Sequence, residues 1–154
     1  MKLSTRIRYG VRALMDIAEH STAGPVSLKD VARRQGVSEQ YLEQLVLLLK
    51  GAGFVRSVRG AHGGFVLSRQ ATEIRLSEIV EILGGTIMLV DCLYDQEVCT
   101  RADCCAIRDV WREANEAFRN VLAAVTLADL VERQRRKLEH PRQKRGTRSG
   151  KQRA

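Results

Sequence analysis

All four cysteines of this chain fall within fourteen residues, Cys92 to Cys105, in the stretch DCLYDQEVCTRADCCAIRDVW. Thiolates bind soft metals, hold iron–sulfur clusters and exchange disulfides, so such a grouping points to one of these chemistries. The spacing is Cys92, six residues, Cys99, four residues, then the adjacent pair Cys104 and Cys105, with no CxxC pair. Tetrahedral zinc sites use close cysteine pairs, and one loop with wide gaps suits them poorly. A cluster is larger, and widely spaced thiolates of one loop can wrap it. Adjacent side chains diverge, so only one of Cys104 and Cys105 is expected to join Cys92 and Cys99. Arg101, Arg108 and the start of the following helix put positive charge beside these thiols. Spacing alone leaves an iron–sulfur cluster, a redox thiol switch, a zinc site and an incidental grouping open.

The charge distribution indicates what must position this loop. The chain has 154 residues and a formal net charge of +8. Residues 1–75 carry 12 Lys+Arg against 6 Asp+Glu, residues 76–131 carry 4 against 10, and residues 132–154 carry 10 against 2. A basic half beside an acidic block implies a polyanion-binding unit joined to one with another task. No run approaches the roughly 18 apolar residues of a membrane helix. The N-terminus MKLSTRIRYG lacks a signal-peptide core. Cytoplasmic residence with no membrane partner is therefore expected, and in that reducing compartment clustered cysteines serve metal or redox chemistry more often than disulfides.

The first half reads as a winged helix-turn-helix. Ile7, Val11, Leu14 and Ala18 form the apolar stripe of a first helix that ends at Gly24-Pro25. Ser27 and Asp30 open a second helix as a capping box, with Leu28, Val31 and Ala32 inward and Gly36 supplying the tight turn. Ser38 caps a third helix built on Leu42, Leu45 and Leu49. This leaves Gln40, Tyr41, Glu43 and Gln44 near its N-terminal end, where a recognition helix meets base edges; glutamine pairs with adenine, and glutamate accepts from cytosine. Two strand-like runs, Phe54–Val58 and Phe65–Ser68, flank the glycine-rich RGAHGG and form a wing. Arg59 at its base suits the negative minor groove. Gly60 and Gly63 allow close approach, and His62 is a polar tip better suited to a phosphate than to a metal.

The second half begins with a short helix carrying Leu76, Ile79, Val80 and Leu83, ended by Gly84-Gly85. After the cysteine loop, a long helix runs from about Cys104–Ile107 to about Val125. It has two apolar stripes: Val110, Ala114, Ala117, Val121 and Val125, and Trp111, Phe118 and Leu122. A helix apolar over so wide an arc buries two sides, and the second cover expected in a small protein is the same helix of a second copy. Thr126 and Asp129 cap a last short helix through Leu130, and from about Gln134 the basic sequence loses apolar periodicity and reads as disordered. The expected organisation is a winged helix-turn-helix domain over 1–75, a cluster-binding loop with dimerisation helices over 76–132, and a basic disordered tail over 133–154. The fold class is mainly α.

The segments MKLSTRIRYGVRALMDIA, VSLKDVARRQGVSEQYLEQL, SVRGAHGGFVLSR and TLADL occur in this order and resemble the IscR-type (Rrf-two) family of bacterial winged-helix regulators across the chain to about residue 132. The resemblance implies a homodimer on a palindromic DNA site, whose affinity is set by an iron–sulfur cluster (2Fe–2S favoured, 4Fe–4S possible) sensing iron, redox state or nitric oxide. It also implies Cys92, Cys99 and Cys105 as ligands, because the family's third cysteine stands six residues before a tryptophan, here Trp111. The fourth ligand differs among subfamilies. One uses a histidine where this chain has Arg108; another an aspartate where it has Arg8; a third a glutamate at that position and a histidine at Arg33. Cys104, a small thiol, water or a residue of a second subunit are the candidates left.

Most such regulators repress, and repression is the expected sign. The alternative is a cluster-free winged-helix regulator that uses a thiol switch or a protein partner. An electron carrier would leave the helix-turn-helix and wing without purpose. An enzyme is not expected: the chain has no phosphate-binding loop and no nucleophile–base arrangement.

Overall fold

The computed structural model describes residues 3–60, 62–85 and 88–140. Helix α1 (Thr5–His20) starts where the Ser4 hydroxyl accepts the Ile7 N–H at 3.3 Å. Helix α2 (Leu28–Gln35) is capped in the same way by Ser27, whose Oγ accepts the Asp30 N–H at 3.1 Å and donates to its carboxylate at 2.7 Å. Gly36, in the left-handed conformation (φ 65°, ψ 40°), turns the chain toward α3 (Glu39–Gly51), capped by Ser38 through the Tyr41 N–H at 3.3 Å. A residue with a Cβ is strained in that region, which is why the turn takes glycine.

Strands β1 (Val55–Val58) and β2 (Gly64–Leu67) form the wing, antiparallel, with Val55 opposite Leu67 and Val58 opposite Gly64. Val26 adds a third rung by exchanging two backbone hydrogen bonds with Phe65, at 2.8 and 2.9 Å. A Cβ at Gly64 would overlap the Val26 backbone. Only glycine lets the wing lie this close to the segment entering α2.

Helix α4 (Leu76–Gly84) leads to the cysteine loop, which contains three short 3-10 turns at Asp91–Leu93, Gln96–Val98 and Ala102–Cys104. Helix α5 (Ala106–Ala124) follows, then α6 (Leu127–Glu139). The core is shared rather than split between halves: Leu14, Ile17, Leu42, Leu45, Leu49 and Phe54 pack with Ile74, Ile79, Leu83 and Leu127. The buried face of α1 is rotated from the anticipated stripe, with Ile7, Ala13, Leu14 and Ile17 inside and Val11 and Ala18 at its margin.

The expected disorder from residue 133 is corrected by α6, which continues to Glu139. Its second half is held by charge rather than apolar burial. Arg136 pairs with Glu132 one turn back at 2.7 Å, and Arg135 reaches Glu19 of α1 at 3.1 Å. Arg, Lys, Gln, Glu and Leu are also strong helix formers. Residues 141–154, the rest of the anticipated tail, lie outside the described residues. Among the described residues no helix is long and apolar enough to cross a membrane.

Candidate nucleic-acid interface and cysteine loop

The capping of α3 by Ser38 fixes where that helix begins and so which side chains its first turn presents. Gln40, Glu43 and Gln44 are exposed there, as the helical spacing requires. Tyr41 differs from the expectation. It is half-buried, and its ring meets Tyr9 edge-to-face with centroids 6.2 Å apart. The guanidinium groups of Arg8 and Arg12 lie over Tyr9 at 5.0 and 5.4 Å. Tyr41 thus locks the recognition helix to α1, and cation–π contacts bring two arginines to that joint.

In the wing, Arg59, Gly60 and His62 are exposed and Gly63 is half-buried. The Gly63 N–H donates to the Gly60 carbonyl at 2.9 Å, closing the tip. Lys50 at the end of α3 donates to the Ser57 hydroxyl at 3.1 Å, tying wing to recognition helix, and Arg69 beyond β2 pairs with Glu78 of α4 at 2.8 Å. Residue spacing gave no signal for these long-range ties.

The joint between α1 and α2 rests on Asp16, also missed in the sequence because it sits on an otherwise apolar face. Its buried carboxylate accepts from Arg34 Nε at 3.1 and 2.9 Å, Arg34 Nη2 at 2.6 Å and Gln35 Nε2 at 2.8 Å. The hydrogen bonds to Asp16 raise the Arg34 pKa further above its ordinary value.

The cysteine loop sits between the end of α4 and the first turn of α5. Cys92, Cys99 and Cys105 are half-buried, Cys104 is exposed, and all four thiols are free. Cys104 Sγ lies 3.7 Å from the Arg101 carbonyl, turned onto its own turn. Cys105 is the N-cap residue of α5. Among the described residues no three His, Cys, Asp or Glu side chains converge to hold a metal ion. The donor chemistry suits an iron–sulfur cluster, since three soft, unpaired thiols share one loop, but that loop has to close for them to meet.

Two polar side chains of α5 anchor the loop. Asn115, buried, accepts the Leu89 N–H at 3.2 Å. Arg108 is only 8% exposed; its Nε donates to the Cys92 carbonyl at 3.1 Å and its Nη1 to the Ala102 carbonyl at 3.5 Å. One stripe of α5 is bare. Val110 is 52% and Val121 64% exposed, and Ala114 and Ala117 between them are exposed as well, whereas Phe118 and Leu122 are half-buried and Leu122 packs on the chain's own core.

Residues 3–133 match a family model described as Rrf2, iron-dependent transcriptional regulator. The protein rrf2 of Nitratidesulfovibrio vulgaris is 44% identical over 131 residues, 85% of this chain and 87% of that protein. The solved structure of CymR, the global cysteine regulator of B. subtilis, superposes with a TM-score of 0.75 at 38% identity, covering 86% of this chain and 98% of that one. That of T. potens IscR gives 0.72 at 40% identity, covering 87% and 88%. The helix-turn-helix, the wing, the cap residues and these likenesses agree: the chain belongs to the Rrf2 family of DNA-binding transcriptional regulators, which are not enzymes.

Proposed function

We propose that this chain is a homodimeric repressor of a palindromic DNA operator, whose affinity is set by an iron–sulfur cluster held by Cys92, Cys99 and Cys105. The observation that carries the cluster reading is the grouping of three free, half-buried thiols in a single loop at the foot of α5. A cluster bound there supplies sensitivity to iron, oxidants and nitric oxide. The uncovered stripe from Val110 to Val121 is the surface a second copy would cover, since a row of this kind has no partner among the described residues. Ser38, Gln40, Glu43 and Gln44 face the major groove in this reading, while Arg59, Gly60, His62 and Gly63 flank it, with Tyr41 bracing α3 from behind. The chain then divides into a DNA-binding part over 1–75 and a sensing and dimerising part over 76–132.

Coupling between the parts runs through α4. Arg6 of α1 donates to the Leu83 carbonyl at the α4 terminus, Gly10 lies against the Leu83 side chain, and Gly84 lies against Ile7. A change in the loop that follows Gly85 therefore pulls on α1, and α1 packs on the recognition helix through Tyr9 and Tyr41. For a ligand to act this way, it must stabilise one arrangement more than the other.

Anaerobically purified protein tests the reading by its iron and acid-labile sulfide content, with operator affinity measured before and after the iron is stripped. Two irons and two sulfides per chain are expected, with affinity changing on removal. A second reading, a cluster-free regulator working through a thiol switch or a partner protein, is favoured by the absence of three converging ligands among the described residues. Iron-free protein that still binds its operator with full affinity would select it.

A further inference from the structure

Arg108 is a charge in the wrong place for an isolated protein. It stands in the first turn of α5, where the helix dipole already places partial positive charge and favours anions. It is more than nine-tenths buried, and its hydrogen-bond partners are two neutral carbonyls, of Cys92 and Ala102. Among the described residues no carboxylate pairs with it. The nearby acid of the same turn, Asp109, instead pairs with exposed Arg112 at 2.9 Å. A buried cation without a counter-ion is strongly unfavourable unless an anion completes it. Asp103, Asp109 and Glu116 border the same cavities, but among the described residues none is in ion-pair contact with it; the other groups about it that can carry compensating charge are the thiols of Cys92, whose carbonyl it holds, and Cys105, which caps its helix.

We propose that Arg108 is a positioning residue for the cluster: it is the counter-charge of the anionic thiolate-bound group and the clamp that holds the two arms of the loop around it. This inference rests on the cluster reading above and deepens it. The planar guanidinium suits both tasks, because two of its nitrogens reach carbonyls ten residues apart in the chain while its charge borders the pocket it shares with Cys104 and Cys105. Lysine would supply the charge without the fork. Glutamine would supply one hydrogen-bond donor without the charge.

The test compares wild type, Arg108→Gln, Arg108→Lys and the control Arg112→Gln, purified without oxygen as full-length chains. Three quantities are read: iron and sulfide per chain, the rate at which a chelator removes the cluster, and the midpoint potential from a dithionite titration followed by visible absorbance. Circular dichroism melts establish that each variant is folded. Arg108→Gln should lose its cluster to the chelator roughly tenfold faster, if the weakened affinity that follows loss of a group supporting the ligands is expressed in release, and its potential should move to more negative values because reduction adds a negative charge that the arginine no longer offsets. Arg108→Lys should lose the cluster faster while keeping a potential near wild type, and Arg112→Gln should match wild type in both. A loaded Arg108→Gln with wild-type potential and wild-type release rate would overturn the role of Arg108 and leave the cluster reading intact. A variant that does not fold would be replaced by Arg108→Met, judged on the same two quantities. Wild type without iron and sulfide would overturn the cluster reading and, with it, this assignment.

Discussion

Asp16 offers a quantitative test of how the helix-turn-helix is held together. Asp16→Ala removes a carboxylate whose side chain is 3% exposed and that accepts three hydrogen bonds from Arg34 and one from Gln35. Breaking one side of a buried charged pair costs about 3–5 kcal/mol when the remaining charge stays trapped. Arg34 is not fully trapped, because its side chain is 30% exposed and water can reach part of the guanidinium. The expected loss is therefore about 2–3 kcal/mol, discounted for that rehydration. With a urea slope of about 1–3 kcal/mol/M, the unfolding midpoint should fall by roughly 1 M at constant slope. Arg34→Met alone should also destabilise, since it leaves a buried carboxylate without its charged partner. The double variant Asp16→Ala with Arg34→Met should recover much of the loss, because neither charge then remains unpaired. The pair should couple by more than about 1 kcal/mol in the double-mutant cycle. A midpoint unchanged in Asp16→Ala, or strictly additive single effects, would refute the claim that this ion pair joins α1 to α2.

The remaining expectations concern the caps, the wing and the uncovered helix. The Thr126 backbone N–H and hydroxyl hold the Asp129 carboxyl below its ordinary range, and the Ser27 hydroxyl does the same for Asp30. Folded pKa values below the unfolded ones add stability that is fully present above about pH 4 and lost as pH falls through the folded values; Asp129→Asn should therefore flatten the acid side of a melting-temperature profile, and an unaltered profile would count against it. Thr126→Ala should cost about 1 kcal/mol in chemical denaturation by loss of the α6 cap. Gly64→Ala sets a methyl against the Val26 backbone and should destabilise by about 1–3 kcal/mol while loosening the wing; an unchanged melt would mean the two segments separate freely. Val121→Glu puts charge on the bare stripe of α5 and should convert the proposed dimer to a monomer in sedimentation without lowering the stability of the single chain, and wild type that sediments as a monomer would refute the dimer. Arg59→Ala should weaken operator binding and lower the salt dependence by about one unit of slope if the arginine meets a phosphate.

Much of the fold was legible because its signals are local. Ser4, Ser27, Ser38 and Thr126 each accept from the N–H three residues on, and three of the four were readable from a serine or threonine ahead of an apolar run. The positions of the recognition helix and wing followed from those caps and from the glycines between them. What stayed hidden is long-range and polar. Asp16 meets Arg34 eighteen residues away, Arg108 meets the Cys92 carbonyl sixteen away, and Asn115 meets the Leu89 N–H twenty-six away. Periodicity counts apolar residues on a face, so it has no means of finding a charge that tertiary contacts draw inside. The second half of α6 escaped for a related reason: its order comes from Glu132–Arg136 and Glu19–Arg135 pairs, not from an apolar stripe. The apolar stripes of α5 were visible but their division was not. Leu122 turns to the chain's own core while Val121 beside it faces out, a difference of one position on the helix that only tertiary packing decides. The sequence-legible parts are therefore those that make this a winged helix. The parts that needed the structure are the joints between elements, Asp16 to Arg34 between α1 and α2 and Arg108 and Asn115 between α5 and the cysteine loop, because each is made by polar groups far apart in the chain.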